Sequence, residues 1–115
     1  MGYSETTLRE AFEHREVKDV RIFLKEASFY LGRLKTEVRI RLYVRPEEET
    51  TIHYEQSHRL RTPLQTDRAV SAEGSADTEE EAFQDAVQQL TDAYDLAVMS
   101  GHRPNEDWLV PNKYF

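Results

Sequence analysis

The sequence contains no cysteine. That excludes disulfides, zinc–thiolate centres and cysteine nucleophiles, and it fits a cytoplasmic setting. Only four glycines occur, and none sits in a phosphate-binding loop. No apolar run approaches the roughly 20 residues of a membrane span, and the opening "MGYSETTLRE" lacks the charged and apolar regions of a signal peptide. No membrane partner is therefore expected. The histidines, at 14, 53, 58 and 102, match no ligand spacing. On a strand, His53 and His58 would face opposite sides. No nucleophile elbow is present, and Asp85, Asp92 and Asp95 read as the wet face of a helix. The expectation is a protein with no catalytic residues, no metal and no small-molecule cofactor.

What is present is charge, unevenly spread. The net charge is −7 over 115 residues, enough chain for one domain. Residues 1–45 carry ten Lys/Arg against seven Asp/Glu, whereas residues 73–115 carry two against ten. The front of the chain is mildly basic and the back strongly acidic. The overall sign disfavours nonspecific nucleic-acid binding, in which cations must displace condensed counterions. A local basic face stays compatible with it.

Ser4 is a candidate N-cap, followed by acids in the first turn. Val17, Val20, Leu24, Ala27, Leu31 and Leu34 recur every three or four residues, which predicts helix between about residues 4 and 31, in one piece or two. Gly32 would be its stop. A strand at "VRIFL" is the competing reading. The period then changes. Val38, Ile40, Leu42 and Val44 alternate with Arg39, Arg41 and Tyr43, as in a half-buried strand ended by Pro46. "TIHYEQSHRL" predicts a second strand, with Ile52 and Tyr54 on one face and His53 and Glu55 on the other. "RAVSAEG" predicts a third, with Val70 and Ala72 inward. Thr78 with Glu81 makes a capping box for a closing helix whose apolar stripe runs from Phe83 to Val98 and stops at Gly101. With three acids in its first turn, that helix start would repel phosphate.

These elements predict a two-layer α+β domain ordered α-β-β-β-α, an antiparallel three-stranded meander with both helices on one face. The domain would span 1–101. The tail 102–115 would pack on the domain or on a partner, since Trp108, Tyr114 and Phe115 are too apolar for a free end. Two surfaces are candidates. Arg33, Lys35, Arg39 and Arg41, joined across the sheet by Arg61 and Arg68 and interleaved with Tyr43, could bind RNA. The bland alternative pairs these cations with Glu37, Glu55 and other acids. The acidic last helix, or the tail through Trp108, Tyr114 and Phe115, could instead bind protein.

The element order is similar to that of a double-stranded-RNA-binding domain. That family places basic residues at the last helix start, where this chain has Asp77, Glu79, Glu80 and Glu81. "RLKTEVRIRLYV" followed by "AEGSADTEEEAFQDAVQQLTDAYD" resembles the ribosome hibernation-promoting factors over about residues 20–96. The likeness lies in Ala72, Glu73, Asp77, Ala82, Ala86 or Val87, and Leu90. It implies binding at the decoding region of the small ribosomal subunit, translational silencing under stress, and a ribosomal RNA partner contacted by Arg33, Lys35, Arg39 and Arg41.

Overall fold

The computed structural model describes residues 8–65 and 71–115. The Ser4 cap, Val70 and Arg68 lie outside the described residues. The protein is an α+β fold with an antiparallel four-stranded sheet. In chain order the elements are α1 (Leu8–Ala11), β1 (Ile22–Tyr30), β2 (Glu37–Arg45), β3 (Glu48–Gln56), β4 (His58–Leu60), β5 (Glu73–Ala76), α2 (Glu79–Met99), a 3-10 turn (Glu106–Trp108) and β6 (Leu109–Pro111). The main sheet is ordered β1-β2-β3-β5, and β4 pairs with β6 in a separate two-stranded ribbon.

Of the span expected to be helical, about residues 4–31, residues 22–30 are strand β1. Among its described residues only the single turn of α1 is helical, and that turn lies with Pro46 and Glu47 around one hollow near the β2–β3 turn. Among the described residues one helix, α2, therefore covers the sheet rather than two, and the sheet has four strands rather than three. The reason is tertiary. Phe29, Ala27 and Lys25 pair with Val38, Ile40 and Leu42, so the ladder of β2 captures a segment whose three- and four-residue spacing also suits a helix. A bulge at Leu24, where the register shifts between Phe23 and Lys25, hides the alternation. Gly32 is a turn residue at φ +54, not a helix stop, and a side chain there would meet Tyr94.

β2 is buried on its even positions: Val38, Ile40, Leu42 and Val44 are all at most 4% exposed. Its neighbour β3 contributes Tyr54 to the same face. On that face lies α2, burying Ala82, Ala86, Leu90, Tyr94 and Ala97. Full burial of a side chain such as Leu90 stabilises by about 1.5–3 kcal/mol. The Thr78 hydroxyl caps the helix by accepting from the Glu81 amide at 3.1 Å. Two clusters result. One joins Ile40, Leu42 and Tyr54 to Ala82 and Ala86. The other joins Leu31, Leu34, Val38, Leu60 and Leu90 to Tyr94, Trp108 and Leu109.

The tail folds back on the domain. Trp108 is 5% exposed and meets Tyr94 edge-on, with ring centroids 5.9 Å apart. The Glu106 carboxylate accepts from the Lys35 and Thr36 amides and the Thr36 hydroxyl, at 2.8–3.1 Å, and so closes the β1–β2 turn. The Asn112 amide donates to the Ser57 carbonyl, and its side chain to the Gln56 carbonyl. Gln56 is fully buried at this junction, and its own side-chain amide donates to the Ala86 carbonyl at 2.8 Å.

Candidate interaction surface

The face of the sheet away from α2 carries Glu26, Arg39, Arg41, Tyr43, His53 and Glu55, as the pairings Glu26–Arg41, Arg41–Glu55 and Tyr43–His53 require. Glu26 accepts from Arg39 at 3.0 Å and from the Nε of Arg41 at 2.9 Å. These two guanidinium groups hold its carboxyl below the ordinary carboxylate range, Arg41 contributing most. Glu55, 6% exposed, accepts both its main bonds from Arg21 at 3.0 Å, with Arg41 at 3.8 Å. Arg21 also lies over the rings of Phe23 and Tyr43, and Tyr43 stacks on His53. The Nε2 of His53 is 3.9 Å from Glu48, too far for a hydrogen bond.

Of the sequence-predicted RNA-binding residues, the structure brings Arg39 and Arg41 together. Both share Glu26, and the Phe115 ring covers both, 3.8 Å from the Arg41 guanidinium and 5.2 Å from that of Arg39. Arg33 and Lys35 lie in the β1–β2 turn at the end of the sheet, exposed. Arg61 follows β4, and its amide donates to the Trp108 carbonyl. Arg45 faces Tyr43 at 5.6 Å. Of the tail aromatics, Trp108 is core, Phe115 packs on the two arginines, and Tyr114 is 72% exposed.

Ser57 and His58 form a pair that the sequence did not single out. The Ser57 hydroxyl accepts from the Arg39 amide and lies 2.8 Å from Nδ1 of His58. Burial keeps the imidazole below its ordinary pKa. The hydroxyl thus shares a hydrogen bond with a neutral ring while accepting from β2, at the corner where the chain leaves one sheet for the other. The described residues contain no group of three or more His, Asp or Glu placed to hold a metal ion. None of their helices is long and apolar enough to cross a membrane.

The surface that sequence reasoning missed is the outer edge of β1. Among the described residues this strand pairs only with β2, and α2 packs mainly over β3 and β5. Phe23, Leu24 and Tyr30 are 50%, 39% and 61% exposed. Phe23 and Leu24 within "VRIFL", with Phe29 and Tyr30 further along, were the available signal, obscured by the apparent helical stripe. The Ser57 amide donates to the Arg39 carbonyl, so Arg39 turns its polar groups toward β3. Ile40 and Val38 therefore turn theirs toward β1, where they meet Ala27 and Phe29. The amides and carbonyls of Glu26, Ser28 and Tyr30 point outward, unpaired by the sheet. Lys25, inward-pointing and bridged to Glu79 at 2.8 Å, and the bulge beside it guard the first half of this edge. The second half, from Glu26 to Tyr30, has no such guard among the described residues.

No protein-family model, curated protein or solved structure matches the chain.

Proposed function

We propose that this chain is a non-catalytic binding module that works in the cytoplasm by engaging another polypeptide along the outer edge of β1. The observation that carries this reading is the unguarded stretch from Glu26 to Tyr30, bordered by exposed Phe23, Leu24 and Tyr30. An edge of this kind accepts an added strand: main-chain bonds supply affinity, and side chains on alternate positions supply selectivity. The tail is a weaker candidate, because Trp108 is committed to the core and Phe115 to the arginines. Selection of binders from a displayed random-peptide library tests the reading. Extended peptides with alternating apolar residues should be enriched on the wild-type chain and lost on Ser28→Pro, which removes one outward amide. Enrichment that Ser28→Pro leaves unchanged would move the contact elsewhere.

A second reading, a ribosome-associated regulator of translation under stress, is favoured by the cationic and aromatic residues around Tyr43: Arg21, Arg41 and Arg45 with Phe23. Against it stand Glu26 and Glu55, which already pair with Arg21, Arg39 and Arg41 and offset two of their three charges. Ribosome cosedimentation decides it. Binding through several cations should weaken ~10-fold or more between low and moderate salt, and Arg39→Glu with Arg41→Glu should abolish it. Cosedimentation indifferent to both would end the RNA reading.

A further inference from the structure

We infer that the partner of the β1 edge is a second copy of the same chain, added antiparallel about a two-fold axis through Ala27. The inference rests on the reading of β1 as the contact surface and names its occupant. A two-fold perpendicular to the sheet must pair residues of like parity, so that both α2 helices stay on one side. The outward-facing residues Glu26, Ser28 and Tyr30 satisfy that parity. Centring on Lys25 opposes two ammonium groups and centring on Phe29 pairs only residues 28–30 of the strand, so three registers compete. Centring on Glu26 sets two carboxylates opposite each other, which destabilises the pair. Centring on Ser28 places Tyr30 opposite the partner's Glu26 and leaves Leu24 beyond the paired segment. Centring on Ala27 sets Glu26 against Ser28 of the partner subunit and Ala27 against its own counterpart, with no like charges opposed.

That register also places the most exposed aromatic of the strand. Tyr30, 61% exposed, falls opposite Leu24 of the partner subunit. Beside Leu24, at the bulge, lies a shallow hollow of about 400 Å³ lined by Phe23, Leu24, Lys25, Glu26 and Arg41. Tyr30, Glu26 and Phe23 all belong to the face away from α2, as their pairing with Glu37, Arg41 and Tyr43 requires. The ring therefore reaches the hollow on the correct side, where Phe23 and Arg41 offer an aromatic edge and a cation. The same exchange occurs twice by symmetry. The bulge and Lys25, which limit pairing with an arbitrary strand, thus shape the hollow that a second copy fills.

The absence of native cysteine makes single thiols a clean probe. In this register Ala27 lies opposite its counterpart as a non-hydrogen-bonded pair, with Cβ atoms about 4.5–5.5 Å apart, close to disulfide reach after small adjustment. Position 28 faces position 26 of the partner, which puts the two copies of residue 28 about 7–8 Å apart. Oxidised Ala27→Cys should form a covalent dimer, whereas Ser28→Cys should not. Sedimentation of the wild-type full chain from micromolar to millimolar should climb toward twice the 13.5 kDa of one chain. Ser28→Pro should hold it at one chain, and so should Tyr30→Arg, which leaves the ladder untouched should the proline variant fold poorly. A chain that stays single at every concentration, or Ser28→Cys linking as readily as Ala27→Cys, overturns the inference. If the chain stays single while Ser28→Pro still abolishes peptide selection, self-pairing falls and the edge remains a contact for a different chain. If peptide selection also ignores Ser28→Pro, the edge reading falls with it.

Discussion

On the open sheet face Arg21 is the close partner of Glu55. Glu55 is almost buried and takes both its close bonds from one guanidinium. Arg21→Ala leaves that carboxylate with Arg41 alone, at 3.8 Å. Removing one partner of a buried pair costs the desolvation of the other, so chemical denaturation should show a loss of about 1–3 kcal/mol. Adding Glu55→Gln should restore part of it, because no buried charge then remains, and a double-mutant cycle measures the coupling. His58 sets a pH dependence. Burial depresses its folded-state pKa, so the unfolded chain takes up a proton first as pH falls. Stability from this group is complete above the unfolded value of about 6.5 and declines below it. Glu26 and Glu106 are depressed by Arg41 and by the Lys35 amide respectively, and their contributions decline in turn below about pH 4. Thermal melts against pH should therefore show two successive losses, and His58→Gln should remove the first alone.

At the scale of elements, β2 and α2 were legible because each is buried on one face against a fixed neighbour, which forces a clean period on the sequence. β1 was not. As an edge strand outside the cover of α2 it needs no strict alternation, and its bulge adds a residue that converts a two-residue period into a near match for a helical one. Its role as a surface was hidden by the same misreading. Arg39 and Arg41 were legible as neighbours on one face, but Glu26, 13 and 15 residues away, reaches them only once β1 is a strand. The register of β1 makes a contrast between adjacent positions. The Ala27 amide faces β2, so Ala27→Pro removes a ladder bond, leaves an acceptor of β2 unpaired and should cost about 1–3 kcal/mol. The Ser28 amide faces outward, so Ser28→Pro should cost far less. Equal losses in denaturant titration would contradict the derived register.

For the whole molecule, the tail is the element that joins the parts. The sequence marked it as too apolar to be free, but its three aromatics have separate fates set by long-range contacts that no local pattern encodes. Trp108 completes the cluster under Tyr94, Glu106 closes the β1–β2 turn, Asn112 binds the β3–β4 corner, and Phe115 covers Arg39 and Arg41. Two truncations separate these contributions. Ending the chain after Asn112 removes Lys113, Tyr114 and Phe115, none of which belongs to either core cluster. That variant should melt close to the full chain and bind a polyanion such as heparin more strongly, since the ring over the two guanidinium groups is gone. Ending it after Arg103 removes Trp108 and β6 as well. Loss of a buried tryptophan side chain alone costs about 3–5 kcal/mol, against a total of about 5–15 kcal/mol for a domain of ordinary stability. Losing the β4–β6 ribbon and the Glu106 clamp adds to that deficit. The shorter chain should lose its cooperative melt, as read by circular dichroism. A shorter chain that still melted cooperatively near the wild-type temperature would show that the tail rests on a domain complete without it.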